Sequence, residues 1–141
     1  MRSVVYELND CYKIVTYSQL KSGVWSATSF VETIDKNESN IGFNEKLLLC
    51  LKASSKNLKE KDALSPADYY SLLGLTKGSK IEKVAKSFTV ILEGNSLYFI
   101  PSIRNNNKTH YLPQFDDRIE FNIATDLDIK SIFIEILKKC E

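Results

Sequence analysis

The chain contains a single histidine, His110, so it offers little of the chemistry that imidazole side chains support. A histidine-based metal site needs a second imidazole or a matched set of cysteines, and the sequence has neither. A catalytic pairing of His110 with a serine nucleophile would need a recognisable setting, yet no GxSxG segment is present. We therefore expect no catalytic, metal-binding or cofactor-binding residues, and interpret His110 as a surface side chain in a loop.

The three cysteines, Cys11, Cys50 and Cys140, lie far apart along the chain. Their number is odd, and neither a CxxC nor a CxH spacing occurs, so they match neither a zinc site nor a disulfide framework. They are interpreted as reduced, partly buried thiols, which is typical of proteins from a reducing compartment.

Two short stretches are similar to chemical motifs but have the wrong spacing. In "GLTKGSK" the glycines are one residue too close for a phosphate-binding loop, so Gly74 is interpreted as a helix stop. Asp116 and Asp117 are adjacent, and neighbouring side chains on a strand point to opposite faces, so they would not converge on a metal ion. A turn with a charged rim is the favoured interpretation of this pair.

Lysines recur at every third position in one stretch: Lys77, Lys80, Lys83 and Lys86. If the stretch is helical, they form a basic ridge that could hold an anionic partner. The bland interpretation is a solvated helix face whose apolar side is formed by Ile81, Val84 and Ala85. Together, His110 and this ridge support one alternative function, that of a small cytoplasmic enzyme or nucleic-acid-associated protein.

Composition predicts one soluble globular domain over residues 1–141, since 43% of the residues are hydrophobic and 26% are charged. The net charge of +1 predicts no overall attraction to nucleic acid. The amino terminus lacks the apolar core of a signal peptide, and no run of about 18 apolar residues suits a membrane. We expect a cytoplasmic protein that is a monomer or a weak homo-oligomer when free.

Several stretches rich in β-branched and aromatic residues predict strands. "SVVYEL", "CYKIVTYS" and "GVWSATSFVETI" suggest a meander, and "RIEFNI" alternates as a half-buried strand does. A hairpin is predicted around Glu93-Gly94-Asn95, with its second strand ending where Pro101 removes a backbone donor. The expected fold class is α+β, with a largely antiparallel sheet and a few helices packed against it.

Three helices are expected, and "SKIEKVAK" is a candidate for a further short helical stretch. The first is capped by Asn44, and the second starts at Ser65 with Pro66 and stops at Gly74. The last is capped by Thr125, with Asp128 at its third position, and should pack an apolar stripe on the sheet. That stripe consists of Ile129, Ile132, Phe133, Ile136, Leu137 and Cys140.

Three features follow one another in the second half of the chain: a "Y-x-LLG" helix end at residues 70–74, a hairpin finishing in Phe99-Ile100-Pro101, and a final helix ending in Lys139-Cys140. In this order they resemble the immunity proteins of bacterial contact-dependent growth inhibition systems. Members of that family often carry a Gly/Trp-containing segment after the proline, where this chain has "SIRNNNKTHYLP".

The resemblance implies a cytoplasmic protein without enzymatic activity. Such a protein binds and neutralises a cognate toxin domain, the CdiA C-terminal domain, which is often a nuclease, and it contacts neither nucleic acid nor a membrane itself. Some complexes of the family form by strand addition, and an exposed sheet edge is a ready template for such pairing. An inhibitor of a basic nuclease cleft would need a local acidic patch or a contact away from that cleft, since this chain is nearly neutral.

The segment 104–118 is the expected partner-binding region, because variable recognition is usually carried by loops. Arginine and tyrosine are also enriched among the residues that anchor interfaces. The alternative for this segment is an ordinary solvated connector between two strands. The candidate contacts are Arg104, Asn106, His110, Tyr111 and Asp116.

Overall fold

The computed structural model describes residues 1–76, 80–123 and 127–141. In these residues seven strands form one antiparallel sheet and four α-helices pack against it, so the expected α+β class is confirmed. The strands are β1 (Arg2–Glu7), β2 (Cys11–Gln19), β3 (Trp25–Asp35), β4 (Lys86–Glu93), β5 (Ser96–Arg104), β6 (Tyr111–Pro113) and β7 (Ile119–Asn122). The helices are α1 (Asn40–Lys52), α2 (Pro66–Leu72), α3 (Ile81–Val84) and α4 (Ile129–Lys138).

The strand order is β3-β2-β1-β4-β5-β6, and β7 also pairs with β5. The first three strands form the predicted meander, and β1 lies inside the sheet because it pairs with β2 on one side and β4 on the other. The longest helix in the described residues is α1, with 13 residues. No helix in the described residues is long and apolar enough to cross a membrane.

The hairpin that joins β4 to β5 is confirmed. Glu93 pairs with Ser96, which leaves Gly94 and Asn95 as a two-residue turn. Gly94 has a φ of 58°, a backbone conformation that glycine adopts at no steric cost.

The prediction that the second strand ends at Pro101 is wrong, since β5 continues to Arg104. On its outer side, β5 pairs with β7 from Ser96 to Phe99 and with β6 from Ser102 onward. Pro101 lies in the gap between these two pairings, where its carbonyl oxygen accepts a hydrogen bond from the Gln114 amide at 2.8 Å. The missing N–H of the proline therefore removes no ladder hydrogen bond, which is why a proline is tolerated inside this strand.

One side of the sheet, which we call the helix face, is covered by α1 and α4. Phe133 of α4 lies at its centre, with its ring centroid 4.9 Å from that of Phe88, 5.5 Å from those of Phe43 and Tyr12, and 6.4 Å from that of Phe99. All five rings belong to one buried cluster. The predicted apolar stripe of α4 is confirmed, because its six members are all buried: Ile129, Ile132, Phe133, Ile136, Leu137 and Cys140.

Two of the expected helix caps differ from the structure. α1 begins five residues earlier than predicted, at Asn40, and its cap is Ser39, whose hydroxyl accepts from the Gly42 amide at 3.1 Å. Asn44 is an interior residue of this helix. The polar stretch before the helix contains several possible caps, and composition alone does not select the one that the chain uses.

In α4, Asp128 is the cap itself and not the third helical residue, since its carboxylate accepts from the Ser131 amide at 3.0 Å. The expected cap, Thr125, lies outside the described residues. The start of α2 is confirmed: Ser65 accepts from the Asp68 amide at 3.2 Å, and Pro66 is the first helical residue. The positive φ of 72° at Gly74 confirms the predicted stop.

The other side of the sheet, which we call the open face, is covered only at one end. There Tyr69 and Leu73, at α2 and its carboxyl end, and Ile81 of α3 pack with Tyr6 and Val15 of the sheet in a second buried cluster. The remainder of the open face borders three depressions in the surface.

Candidate interaction surface

A recess of about 400 Å³ lies beside Tyr69 of α2, and we call it the open-face cavity. Its floor consists of side chains from neighbouring strands that the register places side by side, with Val4 opposite Thr89 and Tyr6 opposite Ser87. Because side chains alternate along a strand, Phe88 and Val90 of β4 enter the core of the helix face, while the residues between them face the cavity.

The floor of the open-face cavity carries hydroxyl groups although it is shielded from solvent. Ser87, Thr89 and Ser102 retain only 1%, 5% and 2% of their exposure. All three side chains line the cavity. A hydroxyl group in this position can form a hydrogen bond with a group that enters the cavity.

Tyrosines form one wall of the cavity. The Tyr69 hydroxyl donates to the Tyr6 hydroxyl, and the Tyr17 hydroxyl lies 3.4 Å from that of Tyr69. The Tyr111 hydroxyl lies 2.8 Å from the Ala85 carbonyl oxygen, to which it donates, and this contact ties β6 to the end of α3. Burial raises the pKa of Tyr6, Tyr69 and Tyr111, so these hydroxyls stay protonated at neutral pH.

Arg2 forms the wall at the opposite end of the cavity. Its side chain is half-buried, and its guanidinium carbon lies 5.3 Å from the centroid of the Trp25 ring, a cation–π arrangement. Burial lowers the pKa of this guanidinium, although it remains charged at any physiological pH. The ion pairs among the described residues are Lys36–Glu7 and Lys46–Glu38, so Arg2 has no carboxylate partner there.

Two shallower depressions extend this surface across the open face. The first, of about 520 Å³, shares Arg2 and Trp25 with the open-face cavity. The second, of about 250 Å³, shares Ile91 with the first depression. The last is bordered by Phe115, which is 49% exposed, and by Arg118, whose guanidinium carbon lies 5.8 Å from the Tyr98 ring centroid. We call the three together the open-face furrow; it presents aromatic rings and arginines side by side.

The predicted contact residues occupy the β5–β6 hairpin and the segment after it, but they are not equivalent. Asn106, His110 and Asp116 are exposed. Arg104 and Tyr111 are half-buried, and both are used within the fold. The guanidinium of Arg104 donates to the Glu82 carbonyl oxygen at 3.3 Å, and thereby holds α3 against β5.

The structure brings two of these residues, His110 and Tyr111, to the open-face cavity. The loop before them is ordered by Asn105, whose side-chain oxygen accepts from the Thr109 amide at 2.7 Å and from the His110 amide at 3.2 Å. The His110 Nδ1 atom lies 2.8 Å from the Thr109 hydroxyl, so one ring nitrogen is occupied and Nε2 is left to face the surroundings. The segment thus connects two strands and also places His110 on the rim of the cavity.

The predicted basic ridge does not form as one helix face. α3 has only four residues, with Lys80 before its first turn and Lys83 inside it. Lys86 already belongs to β4, and its ammonium donates to the Leu137 carbonyl oxygen at 3.1 Å. Lys77 lies outside the described residues. Ala85 follows α3 and has an extended backbone. The lysines, spaced three residues apart, therefore do not share one helix face.

Arg2, Trp25 and the hydroxyl floor were not predicted from the sequence. Arg2 and Trp25 are separated by a long stretch of sequence and meet only because β1, β2 and β3 pair in register. The alternation of Ser87 and Thr89 with apolar neighbours was a usable signal, because a polar set on the buried side of an inner strand indicates a cavity.

No family model matches the sequence, and no curated protein gives a significant match. The fold is shared with solved structures, and two of them align with this chain over nearly its whole length. A Neisseria meningitidis protein of unknown function aligns over 99% of this chain and 94% of its own, with a TM-score of 0.74 and 13% identity. A chain of the CdiA-CT/CdiI toxin and immunity complex from Yersinia pseudotuberculosis aligns over 99% of this chain and 97% of its own, with a TM-score of 0.73 and 12% identity.

Proposed function

We propose that this chain is an immunity protein that binds the toxin domain at the carboxy terminus of a contact-dependent growth inhibition effector and neutralises it. The observation that carries the proposal is the shared fold, over nearly the whole length of both chains, with a member of a toxin and immunity complex. The ordered sequence features at residues 70–74, 99–101 and 139–140 point to the immunity partner of such a pair and not to the toxin.

The open-face furrow is the surface on which we place the toxin. It combines a preformed recess with Trp25, Tyr98 and Phe115, and aromatic residues are enriched at the cores of protein interfaces. Arg2 and Arg118 lie beside these rings. Arginine and tryptophan are the residue types most often responsible for binding energy at an interface.

The predicted contact residues then divide into two roles. Asn106, His110 and Asp116 would touch the toxin, because their side chains are exposed and His110 borders the open-face cavity. Arg104 and Tyr111 would act indirectly, by fixing α3 and β6 through hydrogen bonds to backbone carbonyl oxygens. Replacing either of the second pair should disturb the shape of the surface more than its chemistry.

We further propose that the toxin is a nuclease. Since the chain carries a net charge of only +1, it would not cover a basic active site with an acidic surface as a whole. A local acidic group is available beside the furrow, where Asp116, Asp117 and Glu120 are all exposed within one short stretch. The protein would act in the cytoplasm as a monomer or weak homo-oligomer, and would contact neither nucleic acid nor a membrane.

Co-expression with the toxin domain encoded immediately upstream tests the proposal. We expect cells that express the toxin alone to stop growing, and cells that also express this chain to grow and to yield a stable co-purifying complex. A matched test uses a toxin domain of a different sequence type, which this chain should not neutralise. Growth arrest despite co-expression, together with no complex on a sizing column, would refute the function.

A further inference from the structure

We propose that Arg2 is the receptor for an acidic side chain of the toxin, an Asp or Glu that enters the open-face cavity and pairs with the guanidinium. This inference rests on the proposed function and specifies the chemistry that the partner must present. The geometry behind it is a half-buried arginine that lies over Trp25, faces a recess of about 400 Å³ and has no acidic partner within the described residues.

Arg2 differs from the other partly buried cations of the described chain in having no carboxylate or carbonyl oxygen as a partner. Arg104 donates to the Glu82 carbonyl oxygen, Lys86 to that of Leu137, and Lys130 to that of Glu38. Among the described residues, the guanidinium of Arg2 contacts the Trp25 ring and interacts electrostatically with Tyr17, which is not a carboxylate. Burying a charge without an opposite charge or hydrogen bonds is costly, and the cation–π contact offsets only part of that cost. A partner carboxylate would supply the missing interaction.

The cavity also provides hydrogen-bond donors for the same group. Ser87, Thr89 and Ser102 line the floor, and a hydroxyl group can donate a hydrogen bond to a carboxylate oxygen. Arginine itself presents parallel N–H donors that match a carboxylate in two-point contact. Among the described residues that border the cavity, the acidic one is Glu82, which belongs to α3 and interacts with Tyr111.

A protein side chain suits this surface better than a free small anion because the cavity is not closed. It continues past Arg2 and Trp25 into the depression that contains Lys56, and then to Arg118 and Phe115. Three basic side chains therefore border the furrow together with the acids Glu82 and Glu93. A polypeptide segment with an acidic residue at the cavity and apolar residues further along would complement this charge and shape.

The test is the affinity of purified variants for a catalytically inactive form of the upstream-encoded toxin domain, measured by titration calorimetry. We expect Arg2→Gln to weaken binding at least about 30-fold, because it leaves a toxin carboxylate buried without its partner. Arg2→Lys should fall between wild type and Arg2→Gln, since it keeps the charge but loses the two-point geometry. The matched control is Lys130→Gln, which removes a cation lying over the Phe43 ring on the helix face and should change affinity less than twofold.

Circular dichroism of each variant establishes that it is folded before its affinity is compared. Each Asp and Glu of the toxin is then changed, one at a time, to its amide. If one of them pairs with Arg2, its amide variant should bind Arg2→Gln as tightly as the unchanged toxin binds Arg2→Gln. If the wild-type chain does not bind the toxin at all, the proposed function itself fails. If wild type binds and Arg2→Gln binds equally well, or if no toxin carboxylate couples to Arg2, only the present inference is overturned. The inference is also overturned, in favour of a small-molecule site, if succinate competes with the toxin and no toxin carboxylate couples to Arg2.

Discussion

The packing of Phe133 allows the stability of the fold to be separated from binding at the open face. This side chain lies in the helix face, where it meets Tyr12, Phe43, Phe88 and Phe99 with interplanar angles between 66° and 88°. Edge-to-face pairs of this kind contribute about 0.5–1.5 kcal/mol each beyond the area that they bury. Phe133→Leu keeps most of the apolar volume but loses all four ring contacts.

From these contacts we expect Phe133→Leu to lower the free energy of unfolding by about 2–4 kcal/mol, because the four pair contributions are not fully additive. Phe133→Ala also opens a cavity and should cost about 4–5 kcal/mol. The total stability of a domain is about 5–15 kcal/mol, so the alanine variant should be close to unfolding. For a chain of this length, the leucine variant should melt about 10 °C lower than the wild type.

Urea denaturation followed by far-UV circular dichroism measures both values. The control is Ile134→Ala in the neighbouring position of the same helix, where the side chain is 49% exposed and the cost should stay below about 1 kcal/mol. At a temperature where Phe133→Leu remains folded, its affinity for the toxin should equal that of wild type, since the ring is on the face opposite the furrow. A Phe133→Leu variant as stable as Ile134→Ala would refute the account of this core.

Three further predictions concern the turn, the tyrosine wall and the thiols. Gly94→Ala should cost about 1 kcal/mol in urea denaturation, because alanine is strained at a φ of 58° while nothing lies within 4 Å to hinder its Cβ. Tyr69→Phe should cost about 1 kcal/mol, because it removes the hydroxyl that donates to Tyr6; an unchanged unfolding midpoint would contradict this. Burial raises the pKa of the Cys50 thiol from 9.0 to about 11, so the native protein should react with Ellman's reagent at half-exposed Cys11 and not at Cys50. The unfolded thiol ionises at lower pH than the folded one, so the free energy of unfolding should fall as the pH rises from about 9 towards 11, and less steeply in Cys50→Ala.

Local patterns were sufficient to predict most of the elements. The β-branched and aromatic runs predicted the meander, and the Glu93-Gly94-Asn95 turn predicted the hairpin between β4 and β5. The Ser65 cap and the Gly74 stop fixed both ends of α2, because each depends only on residues in the same turn. These features succeed where neighbouring residues in sequence determine the conformation.

The misses depend on distant parts of the chain. Pro101 is compatible with a long β5 only because its outer neighbours, β6 and β7, leave a gap beside it. The lysine period suggested a helix, but Lys86 pairs with β1 as part of β4. The open-face cavity was not predictable from local sequence, since Arg2 and Trp25 become neighbours through the pairing of three strands.

The gap beside Pro101 has a consequence for the behaviour of the free protein at high concentration. On that side the sheet ends in two short strands, β6 with three residues and β7 with four, instead of one long strand. β6 also includes Pro113, which has no N–H to offer a neighbouring chain. Short, interrupted edges of this kind do not present a continuous row of unpaired backbone groups, so this side of the molecule is protected against sheet-to-sheet aggregation. For the immunity function proposed above, such resistance to self-association would keep the free protein available for binding.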